Sequence, residues 1–72
     1  MKLPIIDAKS FERVLFAFGF QKIRQKGSHA FYRHPDGRTT TLPHHGRDIV
    51  RPLMMEILRE AKISPEEFMK KL

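Results

Sequence analysis

Gln21-Lys22-Ile23-Arg24-Gln25-Lys26-Gly27-Ser28-His29-Ala30-Phe31-Tyr32-Arg33-His34-Pro35-Asp36-Gly37-Arg38-Thr39-Thr40-Thr41-Leu42 holds three extended runs separated by two turn signals. The run from Phe20 to Lys26 reads as a half-buried strand with a basic outer face. Phe20 and Ile23 have opposite parity along it, which a bulge or a late strand start would explain. Gly27-Ser28 is a tight connection. His29 to His34 is rich in aromatics and suits a strand. Pro35-Asp36-Gly37 marks a hairpin turn, because Pro presets φ and Gly supplies a positive φ. Arg38 to Leu42 carries three β-branched residues in a row. Two short links between three strands imply an antiparallel meander.

Upstream, Asp7 is a helix N-cap candidate. Phe11, Val14, Leu15 and Phe18 then recur at i, i+3, i+4 and i+7, so a helix is expected over 8–18 with Gly19 at its left-handed end. Phe16 lies off that stripe and is either half-exposed or an interface residue. Downstream, Pro43-His44-His45-Gly46-Arg47 reads as a loop and Asp48 as a second N-cap. Ile49, Val50, Leu53, Met54, Ile57, Leu58 and Ala61 set a second helix at 49–61, with Pro52 tolerated in its first turn. Ser64-Pro65-Glu66-Glu67 is a capping box that starts a short third helix, anchored by Phe68. The fold class is therefore α+β, in the order α-β-β-β-α plus a short C-terminal helix. The two long amphipathic helices cover one face of the three-stranded antiparallel sheet and leave the other face open. This order resembles that of double-stranded-RNA-binding domains, which read RNA by shape and backbone.

At 72 residues the chain is expected to form a single domain, 1–72. Cysteine is absent, so disulfides and thiolate metal sites are excluded. The apolar run in Met1-Lys2-Leu3-Pro4-Ile5-Ile6-Asp7 is too short for a signal peptide, and no segment reaches transmembrane length. A cytoplasmic location without membrane association is the expectation. Fourteen Lys and Arg against eight Asp and Glu leave a net charge of +6, which favours a polyanionic partner. The basic residues Lys22, Arg24, Lys26, Arg33, Arg38 and Arg47 fall in the strands or beside them, while Glu56, Glu60, Glu66 and Glu67 lie near the C-terminus. Phosphate contacts need positive potential concentrated in this way.

The four histidines are His29, His34, His44 and His45. Imidazole can exchange protons near neutral pH. RNA carries its own nucleophile, the 2′-hydroxyl, so its cleavage requires only proton transfer and positive charge at the phosphate. His29 follows Lys26-Gly27-Ser28, where a glycine backbone can approach a phosphate, Ser28 can donate a hydrogen bond and Lys26 adds charge. His34 flanks the hairpin turn. His44 and His45 are adjacent and point apart, so they are poorly placed to share a metal ion, and no metal or other cofactor is expected. One of that pair could contact RNA or support His29.

Several of these pieces together resemble the HicA-type toxins of toxin–antitoxin systems. They are Gly19-Phe20, the run Arg24-Gln25-Lys26-Gly27-Ser28-His29, the hairpin Arg33-His34-Pro35-Asp36-Gly37-Arg38, Leu42-Pro43-His44-His45, and Ile57-Leu58-Arg59 leading to Ile63-Ser64-Pro65-Glu66-Glu67-Phe68. The resemblance departs at Arg51-Pro52-Leu53, where members often carry Gly-Thr-Leu. It implies a metal-independent endoribonuclease acting on mRNA, with the catalytic histidine of Gly-Ser-His carried onto His29. It also implies neutralisation by a cognate HicB-type antitoxin that covers the active site. Lys22, Arg24, Lys26, Gly27, Ser28 and Arg33 are the expected RNA-binding residues. The alternatives are a non-catalytic RNA-binding module of the same fold, or a protein-interaction domain using Phe16, Met55 and the open sheet face.

Overall fold

The structure is a computed structural model that describes residues 3–72; the first two residues of the N-terminal segment discussed above lie outside the described residues. Its architecture is α+β. Ile6–Asp7 (β1) leads into α1, Ala8–Ala17. The Asp7 carboxylate accepts the Ser10 N–H at 2.9 Å, which satisfies a first-turn donor as an N-cap should. Ala8, Phe11, Val14 and Leu15 form the buried stripe of α1. At its end Gly19 takes φ +96°, and two 3.0 Å bonds, Phe20 N–H to the Leu15 carbonyl and Gly19 N–H to the Phe16 carbonyl, close the helix. This is a Schellman closure, and it turns the chain directly into the sheet.

Gln21–Lys26 (β2), His29–Arg33 (β3) and Thr39–Pro43 (β4) form an antiparallel sheet in that order. The parity conflict noted above is resolved in two ways. The strand starts after Phe20, and the β2–β3 register shifts between Lys22 and Arg24, so Ile23 sits at a bulge. Pro43 extends the third strand beyond the loop boundary expected from proline. It lies opposite His29 on an edge strand. The next residue, His44, donates its N–H to the Ser28 carbonyl. Pro43 therefore occupies a non-hydrogen-bonded position, where its missing N–H leaves the ladder intact.

Asp48 does not cap the second helix. Asp48–Ile49 (β5) pairs antiparallel with β1, aligning Asp48 with Asp7 and Ile49 with Ile6. This pairing carries the chain two residues further before α2, Arg51–Ala61, begins. Val50 is the N-cap, without a side-chain bond, and Pro52 lies in the first turn. Val50 is exposed, so the buried stripe of α2 consists of Met54, Ile57, Leu58 and Ala61. Lys62 turns left-handed at φ 55°, and α3, Pro65–Lys71, follows. Both halves of its capping box are present, Glu67 N–H to Ser64 Oγ at 3.1 Å and Ser64 N–H to Glu67 Oε1 at 3.0 Å. Phe68 is fully buried against Phe11, ring centroids 4.8 Å apart.

The pleat sorts the strands onto two faces. Ala30 and Tyr32 of β3 and Thr40 and Leu42 of β4 point into the core, beneath α1 and α2. Every residue of β2 is exposed, so the helices cover β3 and β4 and leave β2 overhanging. Among the described residues, no element packs on the opposite face.

Candidate nucleic-acid interface

Residues aligned across an antiparallel pair share a face. The register places Lys26, His29 and Pro43 in one row of the open face, Arg24, Phe31 and Thr41 in the next, and Gln21, Arg33 and Thr39 in the third. None of the three strands contains an acidic residue. His29 opens β3 and is exposed. The preceding Gly27 has φ +58° and open space where a Cβ would sit, so the turn is tight and its backbone accessible. Ser28 is half-buried, with its carbonyl held by the His44 N–H. The Arg24 guanidinium lies 5.5 Å from the centroid of the Phe31 ring, within cation–π range. Arg24, Lys26, His29, Phe31 and Thr41 line one depression in this face.

The remaining cations are not all there. Lys22 aligns with Tyr32, which places it on the helix side, where its Nζ is 2.7 Å from Glu12 of α1. Arg38 is engaged structurally: Nη1 donates to the Ala61 carbonyl at 2.6 Å, Nε to Asp36 at 2.9 Å, and the guanidinium lies 5.2 Å from the Phe20 ring centroid. Arg47 is exposed in the loop before β5. Of the sequence-derived set, the structure brings together His29, Arg24, Lys26 and the Gly27-Ser28 turn, with Arg33 further along the same face.

The other histidines have distinct surroundings. His34 Nε2 donates to the Phe18 carbonyl at 3.0 Å and Nδ1 accepts the Asp36 N–H at 3.1 Å, tying the end of α1 to the β3–β4 turn. His45 accepts the Arg47 N–H at 3.2 Å within its own loop. His44 follows Pro43 and so turns to the helix side, where Nε2 meets the Tyr32 hydroxyl at 2.8 Å. That hydroxyl donates to Glu12 at 2.5 Å, so the imidazole Nε2–H donates to the tyrosine oxygen. Burial pushes the Tyr32 phenol far up, and the Glu12 carboxylate pushes it in the same direction. Burial of Glu12 favours its neutral form, but hydrogen bonds from Lys22 and Tyr32, with the nearby Lys22 and His44 charges, outweigh it and hold the carboxyl below its ordinary value. Sequence reasoning missed Glu12. A signal existed, since Ala8, Glu12 and Leu15 fall at i, i+4 and i+7 on one helix face. Among the described residues, no group of three His, Asp or Glu is placed to hold a metal ion.

A small α+β protein with a bare, basic sheet face bearing one histidine is the class that fold and site define. The family model of the HicA toxin of bacterial toxin–antitoxin systems matches residues 8–63, and the chain belongs to that family. A search of curated proteins found no significant match. The matched span runs from the first residue of α1 to the buried Ile63 just beyond α2, and so includes the whole sheet. No helix among the described residues is long and apolar enough to cross a membrane.

Proposed function

We propose that this HicA-family chain is a metal-independent endoribonuclease that cleaves mRNA in the cytoplasm through His29. The observation that carries the reading is the exposed imidazole of His29 in one depression with Arg24 and Lys26. His29 takes the proton of the 2′-hydroxyl as its oxygen attacks the adjacent phosphorus. The bond to the 5′-oxygen breaks, leaving a 2′,3′-cyclic phosphate; that oxygen takes a proton from water, and the hydroxide so formed takes back the proton held on His29. Arg24 and Lys26 offset the charge that builds on the phosphoryl oxygens, and the Gly27 and Ser28 backbone orients the group. Arg33 contacts phosphate further along the strand. His44 and His45 are engaged elsewhere, which is why water is assigned the second proton transfer.

The cognate partner in this reading is a HicB-type antitoxin that presents an acidic surface to the same depression and excludes RNA from it. Its binding to the folded toxin would also raise the stability of so small a chain by mass action. His29→Ala is expected to abolish RNA cleavage and growth arrest while leaving the circular dichroism spectrum and melting transition unchanged. Cleavage by this variant at the parent rate would overturn the assignment. One observation favours a second reading, a non-catalytic RNA-binding module: the depression contains a single proton-transfer group. RNA that stays intact with purified protein in excess chelator, while still binding it, would decide for that module.

A further inference from the structure

We infer that Phe31 is a stacking platform for an unpaired base, so that the open face takes single-stranded RNA in preference to duplex. The inference rests on the reading of this face as an RNA site and specifies the form of RNA it accepts. Phe31 is the aromatic residue of the open face. It sits at the centre of β3, aligned with Arg24 on one side and Thr41 on the other. It is only half-buried, although the core directly behind it is filled by Ala30, Tyr32 and Leu42. An aromatic ring left partly in water on the unpacked side of a central strand contributes little to folding. Its neighbour Arg24 lies 5.5 Å from the ring centroid, so a guanidinium and an aromatic ring stand together on this face. Such a surface suits the face of a nucleobase, which stacks on aromatic rings and guanidinium planes alike.

The flanking charge fits the same occupant. Lys26 and His29 lie one row away towards the Gly27-Ser28 turn, and Arg33 lies one row away in the other direction. A strand of RNA crossing the face can therefore set a base on Phe31 with a phosphate near Lys26 and His29. In a duplex the base faces are stacked inside the helix and unavailable to a side chain on a flat sheet. The depression thus selects unpaired nucleotides by stacking, while the cations hold any nucleic acid backbone equally.

The chain has no tryptophan, so F31W introduces a single reporter at the platform. In a His29→Ala background that leaves RNA intact, F31W is titrated with single-stranded RNA of about eight nucleotides, with a duplex of the same sequence, and with inorganic polyphosphate. Saturable quenching by the single strand, with little change on adding duplex or polyphosphate, is the expected result. Equal quenching by all three ligands, or single-strand binding that leaves the emission unchanged, would overturn the inference. A second pair covers the case of a misfolded tryptophan variant. F31L is expected to weaken single-strand binding by roughly 5- to 150-fold, the range for losing one stacked base, and F31Y to retain it. Equal affinities for F31L and F31Y would also overturn the inference. Cleavage by the parent chain is measured on the same RNA. Cleavage with no quenching removes the stacking role alone, and quenching with no cleavage removes the nuclease reading alone.

Discussion

His44 Nε2 lies 2.8 Å from the Tyr32 hydroxyl on the helix side of β3, whereas His29 at the start of the same strand projects from the opposite side. Two histidines that are close in the fold are thus separated by the thickness of a sheet. The chain Lys22–Glu12–Tyr32–His44 links β2, α1, β3 and the loop after β4 in one bonded cluster. It holds that loop, and through the His44 N–H bond to the Ser28 carbonyl it also steadies the turn before His29.

Removal of the His44 ring should therefore act on stability and leave the chemistry in place. His44→Ala is expected to lower unfolding free energy by about 0.5–1.5 kcal/mol, the net value of a typical hydrogen bond. Tyr32→Phe strips a partner from both Glu12 and His44 and is expected to cost about 1–3 kcal/mol. Urea unfolding of both single variants and the double variant measures the coupling between them. RNA cleavage per folded molecule should stay near the parent value for His44→Ala; a folded variant without cleavage would place His44 in the reaction.

Glu12 gives the fold a pH dependence of known sign. Its carboxyl lies below its ordinary value, because the hydrogen bonds and charges of Lys22, Tyr32 and His44 outweigh the opposing effect of burial. A carboxyl depressed in the folded state contributes stability above its unfolded pKa of about 4.3, and the contribution is lost as pH falls through the folded value. Glu12→Gln should accordingly destabilise the protein at pH 7 by about 1–3 kcal/mol, less whatever solvent screens from the one-third exposed Lys22. The gap between parent and variant should narrow steadily below about pH 4.3. Parallel stability curves across that range would show that Glu12 is not held as a carboxylate by this cluster.

Gly19 tests the joint between α1 and the sheet. A Cβ there would sit 3.0 Å from His34 Nε2, and the backbone is at φ +96°. Gly19→Ala therefore meets both backbone strain and a clash with a ring that is bonded to the Phe18 carbonyl. A loss of about 1–3 kcal/mol is expected from the conformation alone, with a further loss from displacing His34. Comparing Gly19→Ala in the parent and in a His34→Ala background by thermal unfolding separates the two. The second background should remove the clash and keep the backbone cost, so its loss should be smaller and still not zero.

The elements that could be read in the sequence are those whose signal is local. The Asp7 cap, the Gly19 closure, the Ser64–Glu67 capping box and the Pro35-Asp36-Gly37 turn each depend on a few adjacent residues, and each is present. The Asp48 expectation failed because a competing partner, β1, lies about 40 residues away and takes that backbone into a ribbon. Proline suggests a loop at Pro43, because sequence does not show which strand will be an edge. Charge was legible as a total and not by face. Lys22, Arg24 and Lys26 alternate identically in sequence, yet the bulge at Ile23 sends Lys22 to the helix side and the other two to the open side. A one-residue irregularity in β2 thus decides which cations belong to the candidate site, and composition does not specify its position.

That sorting gives a prediction in terms of salt dependence. Each phosphate neutralised by a lysine or arginine on single-stranded nucleic acid contributes about −0.7 to the slope of log K against log salt. In a His29→Ala background, Arg24→Ala, Lys26→Ala and Arg33→Ala should each make the slope for RNA binding shallower by about that amount. Lys22→Ala and Arg38→Ala should leave the slope as it is, because their charges are directed at Glu12 and at Asp36 with the Ala61 carbonyl. Those two variants should instead lower the unfolding midpoint, Arg38→Ala the more, since it also leaves the Ala61 carbonyl at the end of α2 without its donor. Fluorescence anisotropy at several salt concentrations, beside urea unfolding of the same five proteins, measures both quantities. An equal loss of slope in all five variants would mean that RNA feels the net charge of the whole molecule and not the face that the bulge at Ile23 defines.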